Sequence, residues 1–453
     1  MLKITGYSDK YSAHPGEEIK FYINAENNDK FDVQLVRLIH GDTNPEGPGY
    51  KEEEISASCN GTYQGKNQRI HGGSYIVVPQ HDNLNIESFT MQAYIFPTTP
   101  DKGRQGILTK FNEQDKKGFG LFVDDNGCLS VEIGDGSQVT TISSEKKLLR
   151  KVWYLVIATF DAKSRRLTLH QEPRVTSTNG GLGMAILNPI EETSAIIETT
   201  SSVIPAPNDS PVLIAATSLH NRSGRKISGG HFKEVLEPIE LPEQTKTFNG
   251  KIDRPRLSNV ALSKAEIESL ASSYDECNTH IRSTVVAAWD FHANIGKNIS
   301  STKIVDTSPN NHHGFIVNMP NRGMTGHNWT ADEMVFYHKP VEYGAIHFHD
   351  DDIDDARWDV DFTLKVPENL KSGVYGARLR VDGREESEFE DYIPFCIKPP
   401  KGKATSKILF LLPTNSYMAY SNDNLGTNSV VAQLLAGKVP VLNPSDLYLN
   451  EHR

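Results

Sequence analysis

The stretch "GFGLFVDDNGCLSVEIGDG" (residues 118–136) decides the fold class of the central part of the chain. It contains two apolar runs, "GLFV" and "CLSVEIG", and the four residues "DDNG" join them. An Asn-Gly pair fits the tight primed turns whose twist matches that of two paired strands. The stretch therefore predicts a β-hairpin.

Further strand patterns lie on both sides of this hairpin. In chain order they are "GSYIVVP" (73–79), "SFTMQAYIFP" (88–97), "GILTKF" (106–111) and "VWYLVIATFD" (152–161). Many short strands with frequent turns are typical of a β-sandwich. The exception is "LSKAEIESL" (262–270), in which Ser263 as N-cap and Glu266 at the third helical position predict a helix that starts with a capping box.

The two ends of the chain also read as β-structure. Residues 3–58 contain three strand patterns, and about four more lie within residues 343–398. Neither set is large enough to be stable alone, but seven strands are typical of one immunoglobulin-like sandwich. We therefore expect a single sandwich built from both ends, with the central domain inserted into it, because the termini of an inserted domain lie close together.

The last part of the chain has a different pattern. "KILFLL" (407–412) is a continuous apolar run, which is typical of a strand buried on both faces. "LGTNSVVAQLLAGKVPVLNP" (425–444) has helical spacing, with Gly437 as a stop signal. A strand followed by a loop and a helix predicts the start of an α/β domain, which the chain leaves incomplete. Ligands of such sheets bind beyond the carboxyl ends of the strands, where "PTNSYMAYSN" (413–422) would form a loop.

Charge and composition exclude several classes of protein. The net charge is −11, from 47 basic and 58 acidic residues, which argues against a general surface for nucleic acid or anionic membrane. No stretch approaches the roughly 20 apolar residues of a membrane span. The N-terminus has no apolar signal core and Met1 reads as a native start, so we expect a cytoplasmic protein. The four cysteines are scattered without a CxxC pair, which predicts free thiols and no thiolate zinc site.

The most charged stretch is "HFHDDDIDDARWD" (347–359). His347 and His349 are two residues apart and so share one face of a strand. Carboxylates and imidazoles are natural metal ligands, but the run lacks the Gly and the Glu that a calcium loop needs at its sixth and twelfth positions. We expect a solvated loop, with a partner-facing surface and a metal site as the alternatives.

Two pieces of the central domain resemble the laminin-G or concanavalin-A-like jelly roll. They are "FTMQAYIFP" (89–97) and "GKIDRPRLSNVALSKAEI" (250–267). The resemblance implies a jelly roll, for which we expect a scaffolding role, since the fold by itself does not establish a function. The predicted domains are then 1–58 and 331–400 for the two halves of the sandwich, 59–330 for the jelly roll with accessory strands, and 401–453 for the start of the α/β catalytic domain.

The chain as a whole resembles the large (beta) subunit of N,N-dimethylformamidase. The pieces that carry the resemblance are "GYSDKYSAHPGEEIKFYI", "VQLVRLIHGDTNPEGPGYKEE", "EYGAIHFHDDDIDDARWDVDFTLKVPENLKSGVYGARLRV", "EDYIPFCIKPP" and "FLLPTNSYMAYSN", in the order of the family. This resemblance implies hydrolysis of small N-substituted formamides to an amine and formate. It also implies a mononuclear Fe(III) held by two tyrosinates and one glutamate, a small helical partner subunit, and association with further copies of the large subunit.

By this resemblance the first tyrosine ligand falls within "SYMAY" (416–420), where Tyr420 is preferred and Tyr417 is the alternative. Asn415, Ser416 and Asn422 supply hydrogen-bonding groups for the substrate pocket. The family's second tyrosine and its glutamate would follow Arg453, and nothing marks Tyr448 or Glu451 as the missing ligands. We therefore expect an iron site completed by residues outside this chain, and no activity from the chain alone.

Two other functions fit the same pattern. The chain could be a carbohydrate- or protein-binding assembly module made of two β-sandwiches, without catalysis. It could also be a homologue that kept the architecture and lost the metal, or that hydrolyses another amide. The iron content and the amine release of the protein distinguish these possibilities.

Overall fold

The computed structural model describes residues 3–42, 46–68, 70, 72–174, 190–217, 226–227, 239–240, 246–293, 295–296, 301–384 and 388–420. The chain forms two compact units. The first contains residues 1–70 and 357–453, and the second contains residues 71–356. Each unit is described by itself below.

Strands dominate the described residues, which confirms the prediction of a mainly β protein. The strands before the first helix are β1 (Ile4–Ser8), β2 (Ser12–Ala13), β3 (Glu18–Ala25), β4 (Lys30–His40), β5 (Lys51–Glu54), β6 (Gly61–Gln64), β7 (Tyr75–Val78), β8 (Phe89–Pro97), β9 (Gln105–Asn112), β10 (Lys117–Val123), β11 (Cys128–Asp135), β12 (Val139–Lys147), β13 (Trp153–Asp161), β14 (Arg166–Arg174), β15 (Ala195–Thr200), β16 (Val212–Ile214), β17 (Lys226–Ile227), β18 (Ile239–Glu240) and β19 (Gly250–Ser258). Then follow α1 (Lys264–Ser272), α2 (Thr279–Thr284), β20 (Val285–Ala288), β21 (Lys303–Ile304), β22 (Gly314–Val317), β23 (Asn321–Met324), β24 (Ala345–Phe348), β25 (Phe362–Lys365), β26 (Gly373–Arg380), β27 (Glu390–Ile397) and α3 (Thr414–Tyr420).

The first unit draws its strands from both ends of the chain. One sheet has the order β1-β3-β25, and a second has the order β2-β27-β26-β4-β5, with β6 also paired to β4. Along β3 buried and more exposed residues alternate, which places Ile19, Phe21 and Ile23 in the core. Phe21 is opposite Phe362 in the register, and their rings stack with centroids 4.7 Å apart. The core of this unit therefore joins residues more than 300 positions apart in sequence.

The unit boundaries differ from the predicted domain boundaries at two places. β6 pairs with β4, so residues 59–70 belong to the first unit and not to the jelly roll. β24 pairs with β19, so residues 331–356 belong to the second unit and not to the returning half of the sandwich. In both cases the deciding interaction is a strand pairing between distant segments, which the local residue pattern does not specify.

The second unit contains two eight-stranded sheets. Their orders are β12-β11-β10-β9-β16-β7-β22-β21 and β15-β14-β13-β8-β19-β24-β23 with β20 also paired to β19. Apolar side chains from both sheets form one large core. The predicted hairpin is confirmed as β10 and β11. Asp124 Oδ1 closes its turn by accepting from the amides of Asn126 and Cys128, both at 2.9 Å, and Gly127 adopts a φ of +80°.

Helix α1 covers the outer face of the second of these sheets. Its buried residues Ile267 and Leu270 pack in a cluster that contains Tyr94 and Trp153. The predicted helix start is present, since Glu266 accepts from the backbone N–H of Ser263 at 2.9 Å. At the other end, Arg256 Nε donates to the carbonyl of Leu270 at 3.1 Å. The sequence that follows β19 therefore folds back onto the strand and is fixed to it by a buried arginine.

The end of the first unit differs from the predicted α/β start. Residues 407–412 form no strand, and Ile408, Leu409, Phe410 and Leu411 are 76–86% exposed. Among the described strands none pairs with this segment, and a strand needs a neighbour to satisfy its backbone groups. Residues 414–420, predicted as a loop, form helix α3. The predicted helix at 425–444 lies outside the described residues.

Two other expectations concern the whole chain. The four cysteines are free thiols, as predicted, with Cys59, Cys128 and Cys277 buried and Cys396 half-buried. Across the part of the chain that the structure describes, no helix is both long enough and apolar enough to span a bilayer.

Candidate functional site

Helix α3 carries the two tyrosines that the sequence singles out. Its first turn begins at Pro413, whose carbonyl accepts from the amides of Ser416 (3.0 Å) and Tyr417 (3.2 Å). Tyr417 and Tyr420 are three residues apart and therefore share one face of the helix. Their side chains are 59% and 68% exposed. Both phenols are thus accessible to a ligand on the same side of α3.

The predicted substrate-pocket residues are only partly described. Asn415 and Ser416 lie in the first turn of α3 and are exposed. Asn422, Tyr448 and Glu451 lie outside the described residues. The structure thus brings Asn415 and Ser416 to the same short helix as the two tyrosines.

The donor set tests whether a ferric site could form here. Phenolate oxygens are hard, anionic donors that suit a highly charged ion once the metal has lowered their pKa. However, residues 401–420 contain no carboxylate, and no group of three or more His, Cys, Asp or Glu side chains within the described ranges is arranged to hold a metal. The described residues therefore supply phenol oxygens but do not complete a site of two tyrosinates and one glutamate.

The acidic run is more strongly bonded than a solvated loop. Asp352 Oδ2 accepts from Ser74 Oγ at 2.6 Å and lies 3.1 Å from His349 Nδ1, and this hydrogen bond raises the pKa of His349. The ring of His347 in β24 lies 4.0 Å from the ring of His349, which follows the end of that strand. Burial lowers the pKa of His347 to about 4. The first residues of the run are therefore bonded to the segment just before β7 and paired with β19, so the expectation of a solvated loop is wrong for them.

A polar pocket of about 320 Å³ adjoins this run. Its lining residues are Lys102, Gly103, Arg104, Asp125, Lys246, Thr247 and Asp350. Within this pocket Asp350 pairs with Lys102 Nζ at 2.8 Å, and it also accepts from Asn249 Nδ2 at 2.9 Å. Partial burial alone would raise the pKa of Asp350, but these two partners hold it below its usual range. The pocket can accept a small polar molecule; of its charged lining residues, Lys102 pairs with Asp350, and Arg104 pairs with Glu132, which is not part of the lining.

A second polar group lies on the outer face of the eight-stranded sheet that contains β19. Asp253 of β19 is fully buried, and its Oδ2 lies 2.7 Å from His327 Nδ1. Burial would raise the pKa of Asp253, but hydrogen bonding and electrostatic attraction from His327, together with the charge of Arg254, hold the carboxyl below its usual range. The His327 ring stacks on Tyr94 with centroids 3.5 Å apart. The carboxylate thus fixes the orientation of a histidine whose ring is held against an aromatic surface.

Comparison with known proteins bears on both the fold and the tyrosine segment. Residues 321–449 match the family model described as "N,N-dimethylformamidase beta subunit-like, C-terminal". Residues 71–182 match the model of the concanavalin A-like lectin/glucanases superfamily. The first match includes α3 and His327, and the second covers much of the two eight-stranded sheets.

Two curated relatives match over the whole chain. The N,N-dimethylformamidase beta subunits of Paracoccus aminophilus and of Alcaligenes sp are each 38% identical to it, over 456 and 457 residues. The chain belongs to the N,N-dimethylformamidase beta-subunit family. It spans 56% of the length of these relatives, and the match covers 100% of the chain.

Solved structures add little to this assignment. The CBM40 of the Ruminococcus gnavus IT-sialidase, bound to alpha2,3 sialyllactose, is 14% identical, with a TM-score of 0.30 over 45% of this chain and 95% of the CBM40 chain. At this similarity we base no argument on the likeness.

Sequence reasoning on this dimethylformamidase-family chain missed the Asp253–His327 pair. The two residues are 74 positions apart, and neither stands in a recognisable spacing motif. The signal in the sequence is Asp253 itself, a carboxylate in the middle of the strand "GKIDRPRLS", where a charged residue on a buried strand needs a partner.

Proposed function

We propose that this chain is part of an iron-dependent amide hydrolase that cleaves small N-substituted formamides to an amine and formate. The observation that supports this most directly is the identity of 38% to two dimethylformamidase beta subunits along the whole chain. The reaction adds water across the carbonyl C–N bond: the water oxygen forms the new bond to carbon, and the departing nitrogen takes up a proton. When bound, a mononuclear Fe(III) supplies charge that polarises the amide carbonyl.

In this proposal Tyr420 contributes a phenolate to the iron. The support comes from chemistry and accessibility, since Tyr420 is 68% exposed and the phenolate is a hard donor. Tyr417 is one turn earlier on the same face and remains the alternative ligand. Asn415 and Ser416 offer hydrogen bonds to orient a ligand or the helix, and Asn422 is proposed for the same pocket. The other metal ligands lie outside the described residues.

The exposed apolar segment before α3 supports the proposal of a larger catalytic domain. Four successive apolar side chains at 408–411 are 76–86% exposed, and such runs are normally buried in a folded protein or an interface. We propose that residues 407–412 pair with strands of an α/β catalytic domain that begins at residue 401 and extends beyond the described residues. A small helical subunit, further copies of the large subunit and a cytoplasmic location belong to the same proposal.

The experiment uses the protein produced from its complete gene, with any subunit that co-purifies. Iron content, the visible phenolate-to-iron absorption band and dimethylamine release from N,N-dimethylformamide are measured for the wild type and three variants. Tyr420→Phe should lose most of the iron, the band and the activity, and Tyr417→Phe should lose less. Tyr11→Phe is the control, because Tyr11 is also 59% exposed but lies between β1 and β2 and not on α3.

Each outcome decides one part of the proposal. If the wild type contains no iron and releases no amine, the metalloenzyme proposal is wrong and a glycan-binding screen of the concanavalin A-like unit becomes the next test. If Tyr417→Phe is the more damaging change, the choice of Tyr420 as ligand is wrong while the enzyme proposal stands. If iron is lost without loss of amine release, the metal has no role in the reaction.

A further inference from the structure

The polar pocket beside the acidic run is built from four segments that are distant in sequence. They are the turn at 102–104 before β9, the tip of the β10–β11 hairpin at Asp125, the segment 246–247 before β19, and Asp350 after β24. All four lie within the second unit. At about 320 Å³ the pocket is at the small end of the roughly 300–1,000 Å³ range of ligand sites in proteins. Its size therefore suits a molecule with few non-hydrogen atoms.

Hydrogen bonds between these segments fix the shape of the pocket. Asp125 Oδ1 accepts from the amide of Arg104 at 2.9 Å, which ties the hairpin tip to the turn before β9. The amide of Asp350 donates to Asn249 Oδ1 at 2.8 Å, which ties the acidic run to the segment before β19. The walls are therefore held in place before a ligand binds, which lowers the entropic cost of binding.

Two of the cations that line the pocket already have carboxylate partners. Lys102 Nζ pairs with Asp350 at 2.8 Å. Arg104 contacts Glu132 at two points, through Nη1 and Oε1 at 2.7 Å and through Nη2 and Oε2 at 2.9 Å, and its Nε also donates to Glu113 at 3.3 Å. These pairs compensate the charges of Lys102, Arg104 and Asp350 within the protein.

One ammonium and one carboxylate oxygen of the lining keep their bonding capacity for a ligand. Within the described residues Lys246 Nζ forms no ion pair or hydrogen bond, and the carboxylate of Asp125 has the Arg104 amide as its one partner. Both side chains are exposed, and the carbonyl of Lys246 is held by the amide of Thr217 at 3.1 Å. Lys246 and Asp125 line the same pocket without pairing with each other. The pocket thus offers one positive and one negative group at separate points.

We propose that this pocket binds a small zwitterion of the amino-acid class. The ligand carboxylate accepts from Lys246 Nζ, and the ligand ammonium donates to Asp125. A simple anion would also meet the carboxylates of Asp125 and Asp350, and a simple cation would meet Lys246, so a molecule that carries both charges fits the lining best. The seven lining residues include no aromatic side chain. Charge therefore provides most of the affinity, for which we expect a Kd on the order of 1 mM.

The experiment is a saturation-transfer NMR titration with glycine, β-alanine and γ-aminobutyrate, which differ in the distance between their two charges. Acetate and methylamine are the singly charged probes. The protein is the one produced from the complete gene, with any subunit that co-purifies. The wild type should bind at least one of the amino acids about tenfold more tightly than either singly charged probe. The measurement needs neither iron nor amine release, so its result is independent of the hydrolase proposal.

Two variants locate the site. Lys246→Met removes the ammonium, and Asp125→Asn removes the negative charge while keeping an acceptor for the amide of Arg104. Each should weaken amino-acid binding about tenfold or more. Lys163→Met and Asp115→Asn are the matched controls, because both residues are exposed and lie outside the lining, in the turns that follow β13 and β9. Both controls should bind the amino acids as the wild type does.

The outcomes separate the proposal from its alternatives. A wild type that binds none of the three amino acids overturns it, and so does undiminished binding in either Lys246→Met or Asp125→Asn. Acetate that binds as tightly as the amino acids would show an anion site, and methylamine that does so would show a cation site; either result contradicts a zwitterion site. Melting temperatures of the variants confirm that they fold, and the comparison of probes on the wild type decides the ligand class even if one variant does not.

Discussion

Replacing Arg256 by Met should destabilise the second unit strongly. The Arg256 side chain is 1% exposed, its Nη2 lies 2.8 Å from Asp290 Oδ1, and its Nε donates to the carbonyl of Leu270 near the end of α1. Methionine keeps much of the apolar stem but removes both interactions. The change leaves Asp290 as a buried carboxylate without its cation and leaves the end of α1 without its donor.

The exposures set the size of the effect. Removing one partner of a buried ion pair typically costs about 3–5 kcal/mol. Asp290 is 11% exposed and also lies 3.5 Å from Thr307 Oγ1, so water and the hydroxyl relieve part of the penalty. We therefore expect the lower end, about 3 kcal/mol. Adding Asp290→Asn to Arg256→Met removes the unpaired charge and should recover at least about 1 kcal/mol.

Urea unfolding followed by tryptophan fluorescence measures these differences, and the buried Trp289 next to Asp290 reports on the site. The matched control is Arg166→Met, which breaks an ion pair with Glu198 whose side chains are 61% and 49% exposed, at a cost below about 1 kcal/mol. The reasoning is refuted if Arg256→Met loses no more stability than Arg166→Met, or if the double variant is no more stable than the single one.

Three further predictions concern other buried polar or backbone positions. Burial raises the pKa of Asp391 to about 6 from 3.8, so the folded state binds this proton more tightly than the unfolded state, and the carboxyl lowers the stability of the protein as the pH rises through 4 to 6. Asp391→Asn should therefore be more stable than the wild type at pH 7.5, by at most about 3 kcal/mol. Thermal unfolding that shows the same difference in stability at pH 4 would contradict this prediction. Lys110 Nζ donates to Gln80 Oε1, Asn208 O and Ser210 O at 2.6, 3.0 and 2.8 Å. Lys110→Met leaves these oxygens unpaired and should lower the free energy of unfolding in urea by about 2–3 kcal/mol. A decrease below about 0.5 kcal/mol would show that the oxygens find other donors. Gly118 has a φ of +99°, and a Cβ at this position would lie 2.0 Å from the carbonyl oxygen of Lys110. Gly118→Ala should therefore sharply reduce the yield of soluble protein on expression. A normal yield with an unchanged melting temperature would refute the clash.

The parts of the fold that local chemistry specifies were predictable from the sequence. The hairpin at residues 118–136 was predicted from Asn126 and Gly127; it is present, but only Gly127 has a positive φ, so its turn is not of the predicted primed type. The start of α1 depends on Ser263 and Glu266, which are close in sequence. In both cases the structure has the predicted element at the predicted place.

The parts that depend on distant partners were not predictable in the same way. An apolar run such as residues 407–412 reads as a buried strand, but strand formation needs a neighbour, and none of the described strands provides one. Asp350 and Asp352 looked like members of a solvated run, yet Lys102 and Ser74, some 250 residues or more earlier in the chain, bind them. The Asp253–His327 pair is of the same kind, because only the assembled sheet shows that the two side chains meet.

The sheets that join both ends of the chain have a consequence for synthesis in the cell. β3 pairs with β25 and β4 pairs with β26, so residues 18–40 leave the ribosome long before their partners at 362–380 exist. In the interval the second unit, whose strands all lie within residues 71–356, has every partner that it needs. We expect it to fold first during translation, while β3 and β4, which at that stage can pair only with β1, β5 and β6, each keep one edge unpaired and depend on chaperones. Slowing translation after residue 360 should therefore lengthen the period in which this protein is prone to aggregate.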